Sequence, residues 1–447
     1  MDERDISETF ESLKTVYDFR FHLKTEQIAV LHGLMNKRNV FALLPTGYGK
    51  SMCFTLPPLL LDELDWNIQH VAVVVSPLKS LMADQVNTLK EMNIRSISIE
   101  PDMSTEAIAG IKEGMFSVLF MSPESIRSKL WREIFLSGSM QKRVCLLACD
   151  EAHCISEWGE DFRPAYKEVL HMRSMFVDVP VLAATATCDE KVRKDIFTSL
   201  AIDDESLTVA VVPDRPNIYL DIRESKQDHE KELRWLVDYL LRDDICLKKI
   251  IVYCRSVTST ATLYNHVKDC LLLQEKSVRI IDMFHRNIDE ESSVRILQSF
   301  RNNDSELKCL FSTVAFGMGV QIPNVELVVH WGVPKSVLCY WQEVGRGGRD
   351  GRSAYAICFA YGRSLVKTIT DEKMITVMKS SLQRKMCIRF SVLELMRIKG
   401  MTVSHLQESG QNCTGNEKCQ ASKCCTFCSM KCNCGSQTSI KNEFGIP

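Results

Sequence analysis

This sequence lacks any long apolar run. Its most apolar stretches, such as Val71–Val75, have the length of a β-strand, whereas a helix that spans a bilayer needs about 20 apolar residues. The first residues, Met1–Arg4, are acidic and carry no apolar segment of the kind found in secretory signals. The sequence therefore predicts neither a membrane span nor a signal peptide.

An excess of charge of either sign is lacking too. The chain has 55 lysines and arginines against 57 acidic residues, a formal net charge of -2. Any nucleic-acid contact must therefore come from a local basic patch rather than from bulk charge. The sequence also shows no low-complexity tract and no short repeat, and 45% of its 447 residues are hydrophobic. Such a composition predicts an ordinary globular protein of about three domains.

Cysteine, by contrast, is plentiful. The chain has 19 cysteines, and without a secretory signal they indicate a reducing compartment. Eight of them lie between Cys387 and Cys434, and seven of those between Cys413 and Cys434. This uneven distribution predicts a metal site near the C-terminus.

Short β-rich runs alternate with helix-like segments through most of the chain. This alternation is typical of parallel sheets covered on both faces, so two α/β domains are predicted. Two prolines in Val212–Asn217 disfavour helix and predict a linker between the domains. The second domain is expected to end near Gly362, with helix from about 366 to 400 and a polar tail beyond. The predicted strands are Val40–Leu44, Val71–Ser76, Val118–Met121, Cys145–Asp150, Val181–Thr187, Ile250–Tyr253, Arg279–Phe284, Cys309–Thr313 and Leu327–His330.

Pro45–Ser51 has the pattern of a phosphate-binding loop between a strand and a helix. Its glycines allow backbone N–H groups to curl around phosphates, Lys50 would reach the β- and γ-phosphates, and Ser51 would ligate Mg²⁺. Leu44 stands where the common pattern has its first glycine, which is typical of the helicase variant of this loop. The candidate nucleotide-binding residues here are Thr46, Gly47, Gly49, Lys50 and Ser51.

Two further segments complete a predicted hydrolysis site. In Asp150–His153, Asp150 would hold Mg²⁺ and Glu151 would polarise the attacking water. In Gln342–Gly351, two arginines could act as arginine fingers on the γ-phosphate, so that a site assembled from two domains couples hydrolysis to cleft closure. The alternatives are a glycine turn, an acidic strand end and a basic surface turn without catalytic roles. The candidate arginines are Arg346 and Arg349.

In order and spacing, the motifs of this chain resemble those of the RecQ helicases of superfamily 2. The resemblance runs from about Leu23 to Cys428. It implies two tandem RecA-like parallel-sheet domains, at 1–212 and 213–365, a small helical zinc-binding subdomain at 366–435, and a tail at 436–447. The segments that carry it are Leu23–Gln27, Ser76–Gln85, Ser122–Glu124, Asp150–Pro164, Ala184–Thr187 and Thr313–Gly319.

The resemblance also implies roles for individual residues. Lys24 and Gln27 belong to an adenine-reading motif, and His153 and Gln342 join the catalytic set. Hydroxyls would contact strand phosphates, while flat side chains would stack on bases. Core packing is the alternative for Trp158 and Phe162. The candidate strand contacts are Ser76, Ser122, Ser256 and Thr313 for phosphates, and Trp158, Phe162 and Arg163 for bases.

The cysteine-rich segment has the spacing of a zinc site. Cys425 and Cys428 are separated by two residues, and Cys387 lies upstream on a helix-like segment. The expected set is these three with either Cys419 or Cys413. Free thiols in a flexible tail are the alternative, and Cys424, Cys432 and Cys434 are further candidates.

The preceding helical segment is cationic, which predicts either a phosphate-tracking patch or a solvated face. Its basic residues are Lys373, Lys379, Arg384, Lys385, Arg389, Arg397 and Lys399.

The resemblance to the RecQ helicases implies an ATP- and Mg²⁺-dependent 3′→5′ DNA helicase, and we expect Zn²⁺ as a structural ion. Its expected substrates are single-stranded and forked DNA, and a nuclear location follows only from that substrate. A monomer is compatible with the sequence, which identifies no protein partner. Only 13 residues follow Cys434, too few for a winged helix, so a short catalytic-core form or a truncated product is expected. The alternatives are a translocase or clamp that does not unwind DNA, an RNA helicase, and a degenerate copy without catalysis.

Overall fold

The chain forms two compact units, each built around one parallel sheet. A computed structural model describes residues 1–157, 169–203, 205–242, 247–313, 322–401, 423–432 and 444–446. The first unit comprises Met1–Pro213 and a short segment from Arg397, and the second unit comprises Asp214–Met396 and the C-terminal segment. Among the described helices, none combines the length and the apolarity needed to cross a bilayer.

The first unit contains a seven-stranded sheet of order β3-β4-β2-β5-β6-β1-β7 in which every described pair is parallel. Its strands are β1 Val40–Leu43, β2 Val71–Val75, β3 Ser96–Ile99, β4 Val118–Met121, β5 Val144–Cys149, β6 Val181–Thr185 and β7 Leu207–Ala210. Its helices are α1 Glu3–Tyr17, α2 Thr25–Met35, α3 Lys50–Leu64, α4 Lys79–Glu91, α5 Thr105–Glu113, α6 Lys129–Phe135, α7 Gly138–Arg143, α8 Cys154–Glu157, α9 at 169–175 and α10 Glu190–Ser199, with a 3₁₀ turn at Pro123–Arg127.

The second unit contains a six-stranded sheet of order β10-β11-β9-β12-β13-β8, again parallel at every described pair. Its strands are β8 Ile218–Glu224, β9 Lys249–Cys254, β10 Ile281–Phe284, β11 Cys309–Ser312, β12 Val325–Trp331 and β13 Ala354–Ala360. Its helices are α11 His229–Glu232, α12 Arg234–Leu240, α13 Val257–Leu273, α14 Glu290–Arg301, α15 Val337–Val344, α16 Glu372–Leu382, α17 Ile388–Leu395 and α18 Thr426–Lys431, with 3₁₀ turns at Val278–Ile280 and Gly362–Leu365.

The central strands are continuous apolar runs because helices cover both faces of each sheet. All residues of β2 and β9 are buried, for example. The predicted strands are present with ends shifted by a few residues, which confirms two parallel-sheet domains. Four strands were missed. β3, β7 and β8 lie at sheet edges and include polar residues, whereas β13 is a fully buried apolar run of the same kind as the predicted strands.

The helical stretch predicted from about 366 to 400 is interrupted. α16 ends at Leu382 and α17 begins at Ile388, and Arg384 between them has a left-handed φ of 54°. Nor are all of the basic side chains of this stretch solvated, because Arg389 is 1% exposed. A cationic surface that includes Arg389 is therefore a wrong interpretation of the sequence.

Candidate ATP-hydrolysis site and cysteine cluster

The predicted phosphate-binding loop joins the end of β1 to the start of α3. Gly47 and Gly49 have φ values of 81° and 82°, in the left-handed region that glycine adopts without strain. Gly49 is the N-cap of α3, so the free N–H groups and the positive end of this helix dipole lie at the loop. Lys50 is the first residue of α3, and its Nζ lies 3.4 Å from the carbonyl oxygen of Leu44. The loop therefore has the geometry of an anion-binding site.

Gln27 braces this loop from α2. Its Nε2 donates to the carbonyl of Gly49 at 3.0 Å, and its Oε1 accepts a hydrogen bond from the backbone N–H of Lys24 at 2.9 Å. A Cβ at position 49 would lie 2.6 Å from Gln27 Nε2, so this contact also requires glycine. Lys24 Nζ lies 3.7 Å from the ring centroid of Tyr48. Adenine reading by Gln27 stays a prediction, and the structure adds that Gln27 supports the loop itself.

Asp150 follows β5 at the carboxyl edge of the sheet and is 4% exposed. Its Oδ2 accepts a hydrogen bond from Gln85 Nε2 at 2.7 Å, and its Oδ1 accepts one from the N–H of Glu151 at 3.0 Å. Burial, reinforced by the Glu151 carboxylate and opposed by Lys50, raises the pKa of Asp150 to about 6. A buried carboxylate next to a serine-bearing phosphate loop fits a Mg²⁺ ion, which prefers oxygen ligands and would relieve the desolvated charge. Asp150 and Ser51 would hold that ion.

Glu151 has an unusual backbone. Its φ is 47°, in the left-handed region that costs a non-glycine residue on the order of 1 kcal/mol or more. The turn is held on both sides, because the N–H of Glu151 donates to Asp150 Oδ1 at 3.0 Å and the N–H of Ala152 donates to the carbonyl of Ala184 at 2.9 Å. The predicted water-polarising residue therefore lies in a conformation that the surrounding structure imposes.

His153 links the hydrolysis tetrapeptide to β6. The imidazole is 3% exposed, and its Nδ1 lies 3.0 Å from Thr185 Oγ1 and 3.4 Å from a carboxylate oxygen of Glu151. Because the Thr185 hydroxyl donates its only proton to the carbonyl of Thr187 at 3.0 Å, it must accept from His153. The network therefore requires the proton on Nδ1.

The predicted arginine loop follows α15 in the second unit. Arg346 is 7% exposed and Arg349 is half-buried. Glu343, near the end of α15, forms a buried pair with His330, whose Nε2 lies 2.9 Å from the carboxylate. This pair fixes the end of the helix from which the loop starts. Gln342 is also half-buried on α15.

The four predicted phosphate-contacting hydroxyls each follow a strand of a parallel sheet. They therefore lie at the carboxyl edges, where ligands of such sheets bind. Ser76 is fully buried, so its hydroxyl is not accessible to a nucleic-acid strand in this structure. Ser256 is the exposed N-cap of α13, and Thr313 follows β11. Trp158, Phe162 and Arg163 lie outside the described residues.

Ser122 is one of the residues that line a cavity of about 670 Å³ in the first unit. Its lining combines apolar side chains with basic and hydroxyl side chains, and groups of the latter two kinds contact the phosphates of single strands. Among them are Lys79, Ser122, Ser125, Arg127, Ser128 and Trp131. Glu100 and Glu124 also line it, so the cavity is not uniformly cationic.

Four cysteines of the second unit converge on one point. The sulfur atoms of Cys387, Cys424, Cys425 and Cys428 all lie within 4.8 Å of one another. Cys387 Sγ lies 3.5 Å from that of Cys424 and 3.8 Å from that of Cys425. Zn–S bonds of about 2.3 Å in a tetrahedron give sulfur separations of about 3.8 Å, so the cluster fits Zn²⁺.

The structure thus brings together three of the predicted ligands and adds Cys424, which sequence reasoning treated as a further candidate. Cys413, Cys419 and Cys434 lie outside the described residues, and Cys432 is not part of the cluster. Hydrogen bonds among the four sulfurs lower the pKa of Cys387 and Cys425 and raise the pKa of Cys424 and Cys428. Cys387 and Cys425 are therefore the members of the cluster that favour the thiolate form, which binds metal.

Sequence comparison identifies two domain types in the chain. Residues 24–196 match the DEAD/DEAH box helicase family, and residues 232–351 match the helicase conserved C-terminal domain. The ATP-dependent DNA helicase RecQ of Haemophilus influenzae is 30% identical over 351 residues, 78% of this chain and 52% of the relative. The RecQ-like DNA helicase blm-1 of Caenorhabditis elegans is 30% identical over 361 residues, 78% of this chain and 34% of the relative. This chain belongs to the RecQ family of helicases.

This RecQ-family chain is also similar to a viral helicase in sequence and to a solved helicase structure in fold. The putative ATP-dependent RNA helicase R290 of Acanthamoeba polyphaga mimivirus is 31% identical over 351 residues, 78% of this chain and 59% of the relative. The crystal structure of the DUF1998 helicase MrfA bound to DNA has a TM-score of 0.62 at 17% identity, covering 87% of this chain and 59% of that one. That likeness shows the fold of two RecA-like parallel-sheet domains. The chain spans between about a third and three-fifths of the length of these relatives.

Proposed function

We propose that this chain is an ATP- and Mg²⁺-dependent DNA helicase that moves 3′→5′ along single-stranded DNA and separates forked duplexes. One observation carries the proposal. Asp150 accepts a hydrogen bond from Gln85, and His153 donates one to Thr185. The hydrolysis tetrapeptide is thereby joined through side chains to the motif Ser76–Gln85, which resembles a strand-contacting motif, and to Ala184–Thr187. Such links can transmit a change at the nucleotide to a bound strand.

In this proposal Lys50 contacts the β- and γ-phosphates, and Glu151 orients the attacking water. Mg²⁺, when bound by Asp150 and Ser51, supplies neutralisation of phosphate charge. Arg346 and Arg349 supply positive charge to the γ-phosphate during transfer, as arginine fingers do in related reactions.

Strand binding combines hydroxyls at the carboxyl edges of the sheets with flat side chains. Stacking of a base on an aromatic residue is worth about 1–3 kcal/mol and tolerates any sequence, which suits a motor. Ser122, Ser256 and Thr313 are the proposed phosphate contacts, and Trp158, Phe162 and Arg163 the proposed base contacts. A nuclear location is part of the same proposal, because it follows from the DNA substrate.

The first test is Lys50→Ala. We expect the ATPase activity stimulated by single-stranded DNA to fall by about 100-fold or more, because the phosphate contact is lost. Lys14→Ala is a matched control, since Lys14 is also a partly buried lysine of the first unit, and on α1 it pairs with Glu11 at 2.8 Å. Undiminished turnover in the Lys50 variant would exclude this nucleotide site.

The second test compares duplexes with a 3′ tail and with a 5′ tail. Separation of the 3′-tailed duplex alone is the expected result. Separation of the 5′-tailed duplex alone would reverse the polarity. ATP hydrolysis without separation of either would identify a translocase or clamp, which matters because the chain spans only 52% of the H. influenzae relative.

An RNA helicase is the second candidate, because the mimivirus relative carries that description. The same ATPase assay with single-stranded RNA in place of DNA separates the two. Stronger stimulation by DNA is expected, and stronger stimulation by RNA would replace the DNA proposal.

A further inference from the structure

Arg215 holds the arginine loop by its backbone. The residue lies in the segment between the two sheets, two residues before Asn217, and its guanidinium reaches the loop that carries Arg346 and Arg349. Nη1 donates to the carbonyl of Gly345 at 2.9 Å, and Nη2 donates to the carbonyls of Gly347 and Gly348 at 2.7 Å each. These three peptide groups lie on both sides of Arg346 and immediately before Arg349.

Asn217 adds a second hold on the same loop. Its Nδ2 donates to the carbonyl of Gly348 at 2.8 Å and to that of Arg352 at 2.7 Å. Gly348 has a φ of 54°, and a Cβ there would lie 2.4 Å from Asn217 Nδ2. Glycine at this position therefore permits both the turn and the approach of the amide.

The backbone that carries Arg215 is itself anchored. Arg389 is 1% exposed, and its Nη1 donates to Asp214 Oδ1 at 2.7 Å and to the carbonyl of Arg215 at 2.6 Å. Its Nη2 donates to the carbonyl of Ile218, and its Nε lies 3.4 Å from Cys424 Sγ. A continuous set of polar contacts thus runs from the cysteine cluster through Arg389 and Arg215 to the arginine loop.

We propose that Arg215 is a positioning residue for ATP hydrolysis, which sets the orientation of Arg346 and Arg349 through the carbonyls of Gly345, Gly347 and Gly348. This inference rests on the proposed function. A planar guanidinium presents several N–H donors in fixed directions, so it can hold three carbonyls at once, whereas a lysine ammonium cannot reproduce that geometry. A displacement of about 1 Å in a catalytic group can lower a rate by about 100-fold, so the orientation of this loop matters to turnover.

The test is Arg215→Lys, which keeps the charge and removes the fork. We expect kcat for ATP to fall by about tenfold or more, because loop orientation acts on the transition state. KM for ATP should stay within about twofold, and the melting temperature within a few degrees. Arg223→Lys is the matched control: Arg223 lies on β8 of the same unit, pairs with Asp221 at 2.8 Å, and should leave kcat unchanged. An unchanged kcat in Arg215→Lys, or an equal fall in both variants, overturns the inference.

A double-mutant cycle separates positioning from general destabilisation. If Arg215 acts through the loop, adding Arg215→Lys to the double variant Arg346→Ala/Arg349→Ala should slow ATP hydrolysis little further. Effects that multiply would mean that Arg215 acts independently of these two arginines, which contradicts the proposal. Should Arg215→Lys fail to fold, Asn217→Ala replaces it, with the same expected fall in kcat and the same overturning result.

A second readout needs no activity. Backbone amides at Gly345–Asp350 should exchange with solvent faster in Arg215→Lys than in the unmodified chain, because the carbonyls of this loop lose their partners. Equal exchange rates would mean that Arg215 does not hold the arginine loop. If the unmodified chain hydrolyses no ATP but exchange in its loop still responds to the substitution, the proposed function fails, while the hold of Arg215 on the loop is supported.

Discussion

His153 Nδ1 donates a hydrogen bond to the hydroxyl of Thr185 across 3.0 Å. Both groups are buried, and the Thr185 hydroxyl donates a hydrogen bond to the carbonyl of Thr187. The last residue of the hydrolysis tetrapeptide is therefore held by the last residue of β6. A shift of Glu151, whose carboxylate lies 3.4 Å from the same nitrogen, must disturb this bond.

Thr185→Val should uncouple hydrolysis from movement. Valine fills the same space but can neither accept from His153 and the Thr187 N–H nor donate to the Thr187 carbonyl, at a cost of about 1–3 kcal/mol in stability. We expect the number of base pairs separated per ATP hydrolysed to fall by about tenfold, while the DNA-stimulated ATPase rate stays within about threefold. Parallel ATPase and unwinding assays measure this ratio.

Thr55→Val is the control for that substitution. Thr55 is also buried in the first unit, but its hydroxyl has no hydrogen-bond partner among the described residues. This variant should keep the ratio and the stability of the unmodified chain. If Thr185→Val kept the ratio as well, the His153 link would have no role in coupling.

Cys424→Ser should remove the structural zinc. The purified chain is expected to contain about one zinc ion, and loss of one thiolate from a four-sulfur site weakens it strongly. Metal content measured by mass spectrometry after dialysis reports this directly. Cys432→Ser is the control, because Cys432 lies outside the cluster. Loss of zinc in Cys419→Ser but not in Cys424→Ser would restore Cys419 as the fourth ligand.

Asp221→Asn should destabilise the second unit in a pH-dependent way. The buried carboxylate accepts hydrogen bonds from Tyr355 and Thr426 at 2.7 Å and from Arg223 at 2.8 Å. Burial alone would raise the pKa of Asp221, but the Arg223 charge and these bonds hold it below its ordinary value. An amide in its place faces three donors, at a cost of about 2–3 kcal/mol.

The sign of the pH effect follows from that lowered pKa. The stabilisation from Asp221 is complete above the unfolded pKa of about 4 and is lost as pH falls through the folded value. Melting temperatures should therefore differ most at pH 7 and converge below about pH 4. A difference that stays constant down to the lowest pH at which both proteins remain folded would mean that the carboxylate charge contributes nothing.

Trp158→Ala tests the segment that the structure does not describe. Basal ATPase activity should survive, because Lys50, Asp150 and Glu151 are untouched. Stimulation by single-stranded DNA should fall, since a stacking contact worth about 1–3 kcal/mol is lost. Equal stimulation of the two proteins would assign Trp158 to the core instead.

Local sequence patterns predict much of the fold and of the nucleotide site. The phosphate loop needs glycines at Gly47 and Gly49, and a buried parallel strand such as β2 needs a continuous apolar run, so both can be seen in a few residues. Arg215 could not be found that way, because its partners are backbone carbonyls about 130 positions away. Every residue has such a carbonyl, so the sequence does not indicate which ones a distant arginine contacts. The same holds for Arg389, whose charge suggests solvent until its buried acceptors are known. Among crowded cysteines, spacing left the fourth ligand open, and convergence in space selects Cys424.

The left-handed backbone of Glu151 has a consequence for protein engineering. At a φ of 47°, asparagine or glycine would relax the turn, so Glu151→Gly and Glu151→Asn should melt higher than the unmodified chain while hydrolysing ATP far more slowly. Thermal screening of random variants would then enrich enzymes that are stable and inactive. At this residue selection for robustness and selection for turnover point in opposite directions, and only a screen that scores both would keep the glutamate.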